Sequence, residues 1–192
     1  VYSNIFQTKL TEIQYSPLTL KLNWKQLNDF IDRKPVMLFI PNPNQPIEDA
    51  LSKDQIVEIA ERTKKNKTLF VVDEAYHMFG CESAMDLIDE FENLVVLRTF
   101  SKGFGVPSIR LGFMVSNKDN MEVLSKTRLA HESNSLRNAV AEYLLDHYDI
   151  VNNYVQKVIK GRTYVKEELA NLGIKCNGES ANYLLVDLVN TK

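Results

Sequence analysis

Three uninterrupted apolar runs constrain this chain more than any other feature: Val36-Met37-Leu38-Phe39-Ile40, Leu69-Phe70-Val71-Val72 and Leu94-Val95-Val96-Leu97. A strand with one wet face alternates apolar and polar residues. A run without alternation is buried on both faces, as in a mainly parallel sheet covered by helices. Helical patterns fall between the runs. Asn23 is placed to cap a helix over Trp24–Ile31. Ser52 and Gln55 form a capping box that opens a helix to about Lys65, with Ile56, Ile59 and Ala60 on one face. A further helix is expected over Met85–Phe91, and a further strand over Leu111–Val115. The alternation predicts an α/β, three-layer sandwich around a mainly parallel sheet.

From Asn117 onward the pattern turns helical. Met121–Ala130, Leu136–Tyr148 and Val151–Leu172 read as helices, followed by short strands near Ile174–Cys176 and Tyr183–Val189. Parallel sheets bind ligands beyond the carboxyl ends of their strands. Gln45, Asp73 and Lys102 all follow strand ends.

The chemistry at those ends is specific. Lys102 sits in a hydroxyl- and glycine-rich turn, Thr99-Phe100-Ser101-Lys102-Gly103-Phe104-Gly105, and Arg110 follows. An amine held at a strand end can form a Schiff base with a carbonyl. Hydroxyls and an arginine suit a phosphate. An aldehyde that also carries a phosphate is pyridoxal 5′-phosphate (PLP). PLP acts as an electron sink only while its pyridine nitrogen stays protonated, and a carboxylate beside that nitrogen keeps it so. Asp73 is placed for that task, and Tyr76 is within reach of the ring hydroxyl. Each residue also has a plainer reading: a surface lysine, a carboxylate capping the next turn, a packing aromatic, a salt-bridged arginine. For Thr99 and Ser101 the plainer reading is bonding to local backbone in the turn.

These motifs resemble the fold-type I PLP-dependent aminotransferases, and most closely the histidinol-phosphate aminotransferase-like branch. The family's Asp-x-Ala-Tyr stands here as Asp73-Glu74-Ala75-Tyr76. Its Thr-x-Ser-Lys, Gly and Arg-x-Gly stand as Thr99-Phe100-Ser101-Lys102, Gly105 and Arg110-Leu111-Gly112. Its Asn-Pro-Asn-Asn-Pro-Thr-Gly turn stands as Asn42-Pro43-Asn44-Gln45-Pro46-Ile47-Glu48. The resemblance implies PLP as cofactor, with Lys102 as the Schiff-base lysine and α-proton base, and Asp73 on the ring nitrogen. Tyr76 and Gln45 are expected at the ring hydroxyl, and Thr99, Ser101 and Arg110 at the phosphate. Gln45 departs from the usual asparagine, and Ile47-Glu48 from the usual Thr-Gly, so the turn is expected to differ in shape. Asn42 and Asn44 read as turn formers, Gly103 and Gly105 as serving the backbone of their turn, and His77 as structural. Arg128, Glu132 and Asn134 lie where the family's substrate-facing segment begins, and are read as a solvated helix end.

The implied activity moves an amino group between an amino acid or amino-alcohol phosphate and a 2-oxo acid. A PLP-dependent decarboxylase or lyase uses the same residue set, and an inactive fragment is the third reading. The family's chain is about twice this length, so the sequence is read as an internal piece: a PLP-binding large domain over 1–150, then a linker helix and the start of a small α/β domain over 151–192. Alone it is expected to lack activity. The whole protein is expected to be a cytoplasmic homodimer.

Other classes find little support. A net charge of −2 gives no electrostatic case for nucleic acid. No apolar run approaches the roughly 20 residues that span a bilayer, and Val1–Asn4 lack the features of a signal peptide. Cys81 and Cys176, His131 and His147 show no metal-ligand spacing.

Overall fold

The computed structural model describes residues 2–128 and 134–188. One helical turn, α1 (Tyr2–Ile5), and an isolated bridge between Tyr15 and Leu22 precede α2 (Trp24–Asp32). The sheet then forms in chain order. It comprises β1 (Met37–Pro41), β2 (Leu69–Asp73), β3 (Leu94–Thr99) and β4 (Gly112–Ser116), with α3 (Lys53–Lys65) between β1 and β2. β1, β2 and β3 are parallel, and β4 returns antiparallel to β3. Pro41 pairs with Asp73 and Asp73 with Leu97, so the three carboxyl ends are level.

The helix starts follow from local chemistry. The Asn23 side chain accepts from Gln26 N at 3.0 Å. Ser52 and Gln55 close a reciprocal capping box that satisfies two otherwise orphaned N–H groups. One face of the sheet, carrying Leu38, Ile40, Phe70, Val72, Leu94 and Val96, packs against Leu27 and Ile31 of α2 and Ile56, Ile59 and Ala60 of α3. Each such buried aliphatic or aromatic side chain contributes about 1.5–3 kcal/mol. On the opposite face Val71 and Val95 are buried, whereas Met37, Phe39 and Met114 are 50%, 49% and 43% exposed. The unbroken apolar runs are therefore covered from both sides at the sheet's centre and only partly at its margins.

Two expectations change. Met85–Phe91 forms a single 3-10 turn, Met85–Leu87, followed by turns. Leu87, Ile88 and Phe91 are all buried, so this short segment plugs the core instead of laying down one apolar stripe. The fourth strand spans Gly112–Ser116, one residue later than the sequence pattern suggests.

Beyond the sheet come α4 (Lys118–Ser125), α5 (Ser135–Asp146), the 24-residue α6 (Tyr148–Asn171) and a two-stranded antiparallel sheet of β5 (Cys176–Asn177) and β6 (Leu185–Val186). α4 ends before the expected Ala130, which lies outside the described residues, as do Glu132, His131 and Val189. A second apolar cluster joins Tyr76 and Phe79, just past β2, to Leu144 of α5, Val151 and Val155 of α6, and Ala181. It fixes the segment after β2 against the long helix. No helix among the described residues is long and apolar enough to cross a membrane.

Candidate active site

The sheet's carboxyl edge opens into two adjoining clefts. The larger, about 430 Å³, is lined by Asp73, Thr99, Ser101, Lys102 and Arg110, together with Arg98. The smaller, about 210 Å³, is lined by Gln45, Asp73 and Tyr76. Asp73 and Ala75 belong to both. All seven side chains singled out from the sequence therefore border one continuous depression.

Asp73 ends β2, and its Oδ1 accepts from Ala75 N at 3.0 Å. The carboxylate thus caps the following turn while lining the cleft. Burial pushes its carboxyl above the usual range, the Ala75 bond opposes that, and the Glu74 charge adds to it. Tyr76 lies in the second apolar cluster, and its hydroxyl donates to Gln45 Oε1 at 2.9 Å. The glutamine that replaces the usual asparagine is thereby held at the tyrosine. Lys102 Nζ lies 5.1 Å from the centre of the Tyr76 ring and has no hydrogen-bond or ion-pair partner among the described residues.

The turn after β3 places the remaining groups. Thr99 Oγ1 accepts from Ser101 N at 3.1 Å and donates to Leu111 O at 3.4 Å. Its hydroxyl is thus engaged in turn stabilisation. The Ser101 hydroxyl has no partner among the described residues. Gly105 adopts φ of 73°, a conformation that favours glycine. Gly103 does not: a Cβ there would fall 2.9 Å from Met78 Cβ, so close packing is what requires it. Arg110 sits at φ of 51°, a strained value for a non-glycine residue, and its Nη1 donates to Pro107 O at 3.2 Å.

The turn after β1 contains cis peptides before Pro43 and Pro46. Asn42 is fully buried and organises it, donating to Glu82 O and accepting from Leu51 N; Asn44 donates to Ile47 O. Both asparagines are turn formers. Glu48 folds inward, and its Oε1 accepts from Glu179 N and Ser180 N, each at 2.6 Å. Tyr183 follows, its hydroxyl donating to Asn44 O and its ring edge-on to Tyr76 at 5.3 Å. Burial, then the Glu48 charge, raise the Tyr183 phenol.

Sequence reasoning missed a second layer. Glu74 is 0% exposed and accepts from Ser83 Oγ, Ala84 N, Arg98 Nε at 3.1 Å and Arg98 Nη2 at 2.9 Å. One signal was available: residues 73 and 74 at a buried strand end point to opposite sides, so the second acid needs its own partner. His77 Nδ1 lies 2.9 Å from Glu74 O, and burial with the Arg98 charge lowers its basicity, in keeping with a structural role. The Cys81 thiol is pushed up to about 12, chiefly by burial. Asn134 caps α5 by accepting from Arg137 N, and no three His, Cys, Asp or Glu among the described residues gather to hold a metal.

A family profile for aminotransferase class I and II matches residues 1–192. The chain belongs to the class I and II aminotransferases. Among curated members of this kind, histidinol-phosphate aminotransferase of Clostridium novyi (strain NT) is 33% identical over 168 residues, covering 86% of this chain and 46% of the relative. The chain thus spans about half the length of the curated aminotransferases it matches. The crystal structure of histidinol-phosphate aminotransferase from Sinorhizobium meliloti in complex with pyridoxal-5′-phosphate shares the fold, with a TM-score of 0.83 at 21% identity over 94% of this chain and 49% of that one. L-threonine-O-3-phosphate decarboxylase from Porphyromonas gingivalis superposes with a TM-score of 0.66 at 25% identity, covering 76% of this chain and 47% of that one.

Proposed function

We propose that the paired clefts bind pyridoxal 5′-phosphate, and that the whole protein transfers an amino group between an amino acid or amino-alcohol phosphate and a 2-oxo acid. The observation that carries this reading is the meeting, around one depression, of an amine with no hydrogen-bond or ion-pair partner among the described residues, a half-buried carboxylate, a phenol and an arginine. That donor set matches an aldehyde, a pyridine nitrogen, a ring hydroxyl and a phosphate. Bound there, the cofactor would supply the electron sink for bonds at the substrate α-carbon.

The chain's own residues divide the work. Lys102 Nζ would hold the aldehyde carbon and serve as the base for the proton at the substrate α-carbon. Asp73 would hold the proton on the ring nitrogen. Tyr76 and Gln45, already joined, would orient the ring hydroxyl. Arg110 would supply a forked pair to the phosphate and Ser101 a hydroxyl, while Thr99, expected there too, has its one hydroxyl proton on Leu111 O and shapes the turn that presents them. In this reading 1–150 form the cofactor-binding unit and 151–192 the linker helix and start of a smaller one. The whole protein is a cytoplasmic homodimer. A decarboxylase is the second reading, favoured by the structural likeness to L-threonine-O-3-phosphate decarboxylase, since the same cofactor set serves both reactions.

The test is to mix the chain with PLP, reduce with borohydride, digest and map the adduct by mass spectrometry. A phosphopyridoxyl group on the Lys102 peptide, absent in Lys102→Ala, is expected. No selective adduct in the full-length protein would overturn the reading. Amino donor consumption with 2-oxoglutarate, measured against carbon dioxide release, separates the two activities.

A further inference from the structure

Asp73 and Glu74 put two adjacent carboxyls at the end of one buried strand. Asp73 borders the cleft, and Glu74 points into the protein. Glu74 is held by Ser83 Oγ at 2.9 and 3.0 Å, by Ala84 N, and by Arg98 through both Nε and Nη2. Arg98 Nη2 also donates to Ser83 Oγ at 2.9 Å. Both Arg98 donors converge on Oε2, which leaves Nη1 without a partner among the described residues, and the side chain borders the larger cleft at 20% exposure. Glu74 N donates to Leu97 O at 2.9 Å, so main chain and side chain both tie this point of β2 to β3.

The charges around Asp73 can be named element by element. β3 contributes Arg98, and the turn after it contributes Lys102 and then Arg110. The segment after β2 contributes Glu74, Tyr76 and His77, and the turn after β1 brings Gln45, which does not titrate. Among the described residues Glu74 is the negative charge that acts on Asp73, and it favours the protonated form. A buried carboxylate beside a second one drives a proton onto the pair unless a cation compensates it.

We propose that Arg98 is a positioning residue for the acid end of the site: by engaging the Glu74 carboxylate it compensates a second buried negative charge and leaves Asp73 ionised. The catalytic consequence rests on the cofactor reading above, because an ionised Asp73 is what the ring nitrogen would need. The electrostatic claim itself stands without any cofactor.

It is tested by following the Asp73 side-chain carboxyl carbon by NMR through a pH titration of the chain without PLP. The comparison uses wild type, Arg98→Met, Glu74→Gln and the double variant. Arg98→Met is expected to raise the Asp73 midpoint by about one pH unit or more. Adding Glu74→Gln to it is expected to return the midpoint to the wild-type value or below. Glu74→Gln alone retains the side-chain shape and is expected to lower it, so the claim remains testable if Arg98→Met does not fold. A purely structural role predicts that the double variant is no better than Arg98→Met. A midpoint unmoved in Arg98→Met, not restored in the double variant, or raised in Glu74→Gln overturns the proposal. Absence of a Lys102 adduct in the wild type would count against the cofactor reading and leave the titration result intact.

Discussion

Glu48 stands where the aminotransferase turn usually has glycine, and replacing it should loosen the C-terminal segment selectively. Its Oε1 receives two backbone N–H groups, from Glu179 and Ser180, on the far side of 131 and 132 residues of chain. Hydrogen bonds to a charged acceptor are worth about 1.5–3 kcal/mol each. Against that, Oε2 is buried with no partner among the described residues, and deleting the group relieves a cost of about 1–3 kcal/mol. Taking the middle of each range, about 4.5 kcal/mol lost against about 2 relieved, the net loss on Glu48→Ala is about 2.5 kcal/mol, a factor of roughly 70 in a local opening equilibrium. Amide hydrogen exchange by NMR reads this directly: protection at Glu179 and Ser180 should fall by that factor, while Val72 and Val96 in the central sheet stay unchanged. Glu48→Gln keeps an acceptor oxygen and should lose less. The remaining ties, Tyr183 to Asn44 O and Arg162 to Phe79 O and Ala181 O, keep the change local. Unchanged protection at 179 and 180 in Glu48→Ala would refute the argument, because no other group among the described residues accepts from those amides.

Three further outcomes follow from the site. Burial raises the Asp73 carboxyl, so its ionised form opposes folding: the penalty is absent below the ordinary carboxylate range and complete above the raised value. Asp73→Asn should therefore raise the urea midpoint near neutral pH, not in acid, while abolishing PLP retention; equal shifts at both pH values would contradict the sign. Gly105→Ala must hold an alanine at φ of 73° and should cost about 1–2 kcal/mol in chemical denaturation. Gly103→Ala instead crowds Met78 and should cost about 1–3 kcal/mol. Pairing it with Met78→Ala should recover part of that loss, whereas Gly105→Ala should show no such recovery.

The fold was legible where residues act through their neighbours in the chain. Leu69–Val72 and Leu94–Leu97 announce buried strands because apolar burial on both faces removes alternation, and Ser52 with Gln55 marks a helix start because capping needs only three residues of reach. Met85–Phe91 misled because spacing does not say how deeply a segment is drawn into the core. Consecutive burial of Leu87 and Ile88 makes it a plug. The return direction of β4 is likewise a property of pairing with β3, not of its own residues.

The same division runs through the site. Gln45, Asp73, Tyr76 and Lys102 were readable because each follows a strand end, and a parallel sheet gathers its strand ends at one edge. Arg98 and Glu48 were not, because each derives its meaning from a partner that only the folded chain supplies. Arg98 lies 24 residues from Glu74, and within its own strand it reads as one polar residue after an apolar run. Glu48 read as a departure that put the turn in doubt. Folded, its carboxylate turns away from the turn and takes hold of backbone from the end of the chain. The loss of a glycine at one position is thus matched by a long-range contact that a glycine cannot make.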